Sequence, residues 1–201
     1  MSKLKIIIAD DESLTRMDIR EMLEEAGYLV VGEAGNGQQV IQLVRELNPD
    51  VVMLDIKMPV LDGIETTKIL SDLGYPVLLL TAYSQLSIVE RAKKVGALHY
   101  LVKPISERDL LPAIEMTYAL HQRMLALQAE VRKATAALEE RKAIDKACSA
   151  YASRLGITNE VAYRRMTRLA MNKNKSLYTV ACEILQLLNK QQPTGVEVKQ
   201  A

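Results

Sequence analysis

The chain has 201 residues, 49% apolar and 25% charged with a net charge of +1, enough for one large or two small domains of ordinary soluble composition. No apolar run approaches the ~18 residues of a membrane span and the N-terminus lacks a signal-peptide pattern, so a cytoplasmic location is expected. Cys148 and Cys182 have neither metal-ligand nor redox-motif spacing and read as reduced, partly buried side chains.

The charge is unevenly placed. Residues 1–112 hold 12 Lys/Arg against 17 Asp/Glu, a net of −5, while residues 113–201 hold 14 against 8, a net of +6. An acidic half joined to a basic half suggests two domains, with a polyanion as partner of the second.

In the first half, short apolar runs alternate with helical patterns. Lys5 to Ala9 runs into Asp10 and Asp11, Leu29 to Gly32 follows, Val51 to Leu54 runs into Asp55, Val77 to Leu80 into Thr81, and His99 to Val102 into Lys103-Pro104. Such runs read as strands of a parallel sheet covered on both faces. Between them lie helical patterns: Leu14, Met17, Ile19, Met22 and Leu23, stopped by Gly27; Val40, Ile41, Leu43, Val44 and Leu47; Ile64, Ile69, Leu70 and Leu73, ended at Gly74; and Ile88, Val89, Ala92 and Val95, ended at Gly96. Repeated β-α alternation gives a doubly wound sheet, with ligands outside the carboxyl ends of its strands. Three acids, a hydroxyl and a lysine at those ends describe a site for a metal and a phosphoryl group.

The physical roles follow from charge. Carboxylates about 4 Å apart repel by ~4 kcal/mol per pair at an effective dielectric near 20, and a divalent cation relieves this. Mg²⁺ suits few carboxylates plus phosphate oxygens and water. Asp55, alone at the end of a central strand, is the best nucleophile, with Mg²⁺ and Lys103 neutralising the equatorial phosphoryl oxygens. Asp11 would ligate the metal directly, Asp10 through water, and Thr81 would donate a hydrogen bond to a phosphoryl oxygen.

From Ser106, an N-cap followed by Asp109, the chain turns helical, with Pro112 bending it locally. Leu120, Met124, Leu127, Val131, Ala134 and Leu138 form a heptad stripe, which Leu110, Ala113 and Thr117 extend backward in register. About three heptads favour a parallel two-stranded coiled coil, the alternative being one helix packed on its own domain. Ala143 to Leu155 finishes this helix and Gly156 ends it; Thr158 caps a second through about Met171, and Ser176 a third through about Leu188. Residues 191–201 are expected to be a disordered tail.

Residues 141–201 carry 11 Lys/Arg against 4 Asp/Glu. Arg164, Arg165 and Arg168 share one helix, with Lys173 and Lys175 in the following turn; Arg164 and Arg168 share a face and Arg165 points about 100° away. Such a cluster can neutralise phosphates and stack on unpaired bases. Tyr151, Tyr163 and Tyr178 are expected in the core rather than on bases.

The ordered set Asp10-Asp11, Asp55 with Met58-Pro59 and Asp62-Gly63, Thr81-Ala82 and Lys103-Pro104 resembles the receiver domain of two-component response regulators. The resemblance implies a flavodoxin-like five-stranded receiver fold over residues 1–120. It also implies phosphorylation of Asp55 by a sensor histidine kinase, the backbone carbonyl of Lys57 as a further Mg²⁺ ligand, and Tyr100 rotating with Thr81 to report phosphorylation. Lys57 and Tyr83 flank the site, and bulky Tyr83 is expected to shield the acyl phosphate from water.

Residues 140–190 resemble the ANTAR domain, an all-α three-helix module that binds RNA stem-loops, through Ala162-Tyr163, Arg165-Met166, Ala170-Met171, Asn174, Leu177, Val180-Ala181 and Ile184-Leu185. The family's Ala-Lys-Gly-Ile-Leu-Met is here Ala147-Cys148-Ser149-Ala150-Tyr151-Ala152, with Lys146 offered as compensation. Residues 110–142 are then a coiled-coil linker continuous with the last receiver helix. The resulting expectation is a phosphorylation-dependent homodimer that binds nascent RNA and prevents transcription termination. The rivals are a DNA-binding or a protein-binding helical output. No enzymatic output is expected, because residues 120–190 lack clustered acids, histidines or a nucleophile-base pair; the receiver acts only on its own phosphorylation state.

Overall fold

In a computed structural model, which describes residues 3–82 and 94–190, the five apolar runs lie side by side as one sheet. β1 (Lys5–Ala9), β2 (Leu29–Ala34), β3 (Val51–Asp55), β4 (Val77–Thr81) and β5 (His99–Val102) take the order β2-β1-β3-β4-β5. Every pairing is parallel, with a register shift between Ile6 and Ile7 against β2. The chain order reverses between β1 and β3, which places the switch point at the ends carrying Asp10 and Asp55.

The alternation of strand side chains explains why uninterrupted apolar runs are needed. Ile7, Ala9, Val52, Leu54, Val77 and Leu79 face one layer, packing with Val40 and Val44 of α2 (Gly37–Leu47) and Ile64 and Leu70 of α3 (Gly63–Asp72). Ile6, Ile8, Val51, Met53, Leu78 and Leu80 face the other, against Ile19 and Leu23 of α1 (Ser13–Glu25) and Leu110, Ala113 and Ile114 of α4 (Glu107–Leu155). Each fully enclosed Ile or Leu contributes ~1.5–3 kcal/mol, so both faces must stay apolar. Leu14 and Met17, counted in the α1 pattern, are largely exposed.

Asn36 accepts from the Gln39 amide at 3.0 Å and Asp62 from the Glu65 amide at 2.7 Å, starting α2 and α3. Gly27, Gly74 and Gly96 have positive φ, Gly27 and Gly74 just past the ends of α1 and α3. The helix expected around Ile88, Val89 and Ala92, and Tyr83 with it, lies outside the described residues.

Contacts divide the chain into two units, residues 1–126 and 127–201. Helix α4 runs unbroken through Pro112, with the Ser106 hydroxyl accepting from the Asp109 amide at its start. In the second unit α4 ends at Gly156 (φ +62), and α5 (Asn159–Lys173) and α6 (Leu177–Lys190) follow, with Thr158 and Ser176 accepting from the Val161 and Thr179 amides. Their core is built from Ala147, Cys148, Ala152, Ala162, Met166, Ala170, Val180, Ala181 and Ile184. Most of these side chains are small, which lets the helices approach closely. Cys148 is part of that core, its thiol donating to the Asn159 carbonyl at 3.1 Å. The tail from Gln191 lies outside the described residues, and no described helix is long and apolar enough to cross a membrane.

Candidate functional site

The carboxyl ends of β1, β3, β4 and β5 bring Asp10, Asp55, Thr81 and Lys103 together. Asp10 is fully buried, and Asp55 and Thr81 nearly so. The Lys103 ammonium lies 2.6 Å from Asp10 Oδ2 and 2.7 Å from Asp55 Oδ1, bridging the two acids. The Lys103 amide donates to the Thr81 carbonyl at 2.8 Å, which anchors the lysine at the end of the sheet beside β4. The Lys57 amide donates to Asp55 Oδ2 at 2.7 Å and the Glu12 amide to Asp10 Oδ1 at 3.0 Å, so each carboxylate is held on both oxygens.

Burial pushes the Asp55 carboxyl above its ordinary range; Lys103 pulls it back by hydrogen bond and charge, and the Asp10 charge raises it again. Burial works to lower the Lys103 ammonium, but its bonds to Asp10 and Asp55 outweigh this and hold it above the ordinary lysine value. The lysine therefore stays charged between the two acids.

Asp11 stands apart. It is exposed, has no hydrogen-bond or ion-pair partner among the described residues, and lines a cavity of about 270 Å³ with Asp55, Lys57, Thr81 and Lys103. The sequence suggests three converging acids. Instead, Asp10 and Asp55 converge on Lys103, and no three His, Cys, Asp or Glu side chains form a ready-made metal cluster among the described residues. Bare carboxylates repel, and the ammonium serves as their counter-ion. The donors are all oxygens from few carboxylates beside an open cavity, which fits a hard, partly hydrated cation such as Mg²⁺.

Two neighbours escaped the sequence reading. Gly63 is pressed on the end of β3: a Cβ there would stand 2.1 Å from the Asp55 carbonyl oxygen. Its motif was visible, but not the close approach that makes glycine necessary. Arg16 Nη1 donates to the Asp10 carbonyl at 2.7 Å, a contact that nothing in helical periodicity announces. Tyr100 lies on β5 with its ring partly exposed, paired with Leu79 and two residues before Val102, the register partner of Thr81.

On α4 the stripe divides. Leu110, Ala113 and Thr117 are enclosed in the first unit, so they do not extend a seam for another helix; the same periodicity serves packing on the sheet. From Leu120 (41% exposed) through Met124, Leu127 and Val131 (65%) to Leu138 the stripe is open, and Ala134 is exposed with it.

In the second unit Lys146, Arg164, Arg165, Arg168, Lys173 and Lys175 are all exposed. They are not electrostatically equivalent. Arg164 pairs with Glu160 at 2.8 Å, and Lys173 and Lys175 both pair with Glu183, Lys173 at 3.5 Å. Lys146, Arg165 and Arg168 have no acidic partner among the described residues. Tyr151 packs against the core, but Tyr163 and Tyr178 are exposed, contrary to the expectation for all three.

A doubly wound parallel sheet with acids, a threonine and a lysine at its switch point is the fold of a receiver-type signalling domain. The chain belongs to the response regulators: residues 6–115 match the response regulator receiver domain and residues 132–185 the ANTAR domain. It is 41% identical over 191 residues to the transcriptional regulatory protein PdtaR of Mycobacterium tuberculosis, covering 94% of this chain and 93% of that protein. Protein CcdB of Bacillus subtilis is 39% identical over 112 residues, 55% of this chain and 93% of that protein. Among solved structures, a two-component response regulator of the LuxR family from Aurantimonas is 31% identical with a TM-score of 0.55, covering 59% of this chain and 86% of that one.

Proposed function

We propose that the chain accepts a phosphoryl group on Asp55 from a sensor histidine kinase, dimerises through α4, and binds RNA stem-loops in nascent transcripts to prevent termination. The observation that carries this reading is the Lys103 ammonium held on both Asp10 and Asp55 beside an open cavity, in a chain that also presents unpaired arginines on a helical module.

Asp55 supplies the attacking oxygen; the bond from phosphorus to the donor breaks as the aspartyl bond forms. Lys103 neutralises charge on the phosphoryl oxygens, and the Thr81 hydroxyl donates to one of them. Mg²⁺ would be held by Asp11, Asp55, the Lys57 carbonyl and, through water, Asp10, and would supply charge neutralisation at the phosphoryl oxygens. Thr81 turning toward the phosphoryl group leaves room for Tyr100 to swing inward, which biases the population toward an associating form.

Association uses Leu120, Met124, Leu127, Val131, Ala134 and Leu138, within a linker over residues 110–142. The module over 140–190 meets RNA through Arg165, Arg168 and Lys146 first, because these charges are not already paired. Two modules on one dimer hold two linked stem-loops with avidity.

The test has two arms. Acetyl phosphate with Mg²⁺ should label the chain, and Asp55→Asn should abolish the label; label persisting in the variant refutes the phosphoacceptor. Gel shifts should show tighter binding to a two-hairpin RNA than to its halves, and tighter still after phosphorylation. Equal affinities throughout refute the output reading.

A further inference from the structure

We infer that Arg16 is a positioning residue that fixes the peptide joining Asp10 to Asp11, and so sets how the acid pair meets a divalent cation. This rests on the reading of those two acids as cation ligands. Asp10 is constrained on every side: its amide donates to the Ala34 carbonyl at 3.1 Å, Oδ1 accepts from the Glu12 amide and Oδ2 from Lys103. Its carbonyl oxygen accepts from Arg16 Nη1 at 2.7 Å. That oxygen belongs to the peptide plane from which the Asp11 backbone departs. Asp11 has no partner of its own among the described residues, so this plane fixes where its side chain starts and the directions its carboxylate can reach.

A lone guanidinium here would repel a cation. Glu33 on β2 offsets it, accepting from Arg16 Nε at 3.3 Å and from Arg20 Nη1 at 2.7 Å, while Arg20 Nε also donates to Glu24 at 2.8 Å. The chain Glu24–Arg20–Glu33–Arg16 therefore holds the Asp10 carbonyl from the outer face of α1 without leaving net positive charge beside the acids. Groups that orient ligands in this way typically alter metal affinity 10–100-fold when removed.

Electrostatics and positioning predict opposite signs. Removing a positive charge near a cation site should tighten binding; removing a support should weaken it. Calorimetric titration of the unphosphorylated full chain with Mg²⁺ decides between them. Arg16→Met should weaken Mg²⁺ by about tenfold, and Arg16→Lys should recover part of the loss. Arg16→Gln also removes the positive charge and should weaken Mg²⁺ likewise, which keeps the two signs distinguishable if Arg16→Met folds poorly. Thermal unfolding in chelator accompanies each titration, since a merely structural role lowers the melting temperature without moving the Mg²⁺ affinity. Unchanged or tighter binding in Arg16→Met and Arg16→Gln overturns the inference. Wild-type chain that binds no Mg²⁺ overturns the ligand reading itself, and this is a distinct result.

Discussion

Replacing Lys103 with Met should make the stability of the first unit depend on a divalent cation. Both acids contact one ammonium, at 2.6 and 2.7 Å, so their nearest oxygens are at most about 5.3 Å apart. At an effective dielectric near 20, two charges at that distance repel by ~3 kcal/mol. Asp10 and Asp55 are nearly or fully buried, and removing one partner of a buried ion pair costs ~3–5 kcal/mol. Methionine keeps most of the side-chain volume, so the loss is electrostatic. With an m-value of ~1.5 kcal/mol/M, a loss of ~3 kcal/mol lowers the urea midpoint by ~2 M. The assay is urea unfolding of the full chain followed by circular dichroism, in chelator and in excess Mg²⁺. The variant should lose about that much in chelator and regain more from Mg²⁺ than the wild type does. Coincident midpoints in chelator, or an equal Mg²⁺ gain in both proteins, refute the reasoning.

Gly63→Ala should cost ~3 kcal/mol and slow labelling of Asp55, because the added methyl must displace the Asp55 carbonyl; a variant with wild-type midpoint and labelling rate contradicts this. Arg165→Gln and Arg168→Gln should each flatten the plot of log affinity for RNA against log salt by about 0.7. Glu183→Gln should steepen it by releasing Lys173 and Lys175, and an unchanged slope removes that lysine pair from the RNA interface. Val131→Glu should prevent self-association of phosphorylated chain in sedimentation without changing Asp55 labelling, since Val131 is open and belongs to neither apolar cluster. Burial, then the hydrogen bond and charge of Glu115, push the Tyr28 hydroxyl from 10.0 up to about 12. The folded chain keeps a proton that the unfolded chain loses, so this contribution is intact below pH about 10 and is lost as pH rises toward about 12. Tyr28→Phe should remove that part of the alkaline decline in stability.

What could be read from the sequence depended on how far the deciding contact lies along the chain. Strand ends such as Leu54-Asp55 and Leu80-Thr81 are local: a fully buried strand must be apolar, so the first polar residue after it is conspicuous. The caps Thr158 and Ser176, each three residues from the amide it holds, are local too. The heptad stripe was legible as periodicity but not as partnership, because Thr117, enclosed in the first unit, and Leu127, open on the helix surface, obey the same spacing. Arg16 was not legible, since it lies on α1 and its partner Glu33 is 17 residues away on β2. Lys173 and Lys175 looked equivalent to Arg165 and Arg168 until α6 brought Glu183 beside them. Tyr163 and Tyr178 looked like core side chains because tyrosine is amphipathic; the core takes the Tyr151 ring at its edge and leaves these two exposed.

The sheet-facing stretch of α4 ends at Tyr118 and the second apolar cluster begins at Ile144. Residues 119–143 thus contribute to neither cluster, and their number can change without opening a void in either. Phase cannot change so freely. Each deleted residue turns the downstream stripe by about 100°, whereas loss of seven restores it to within about 20°. Among homologues, tolerated length differences in this stretch should come in sevens.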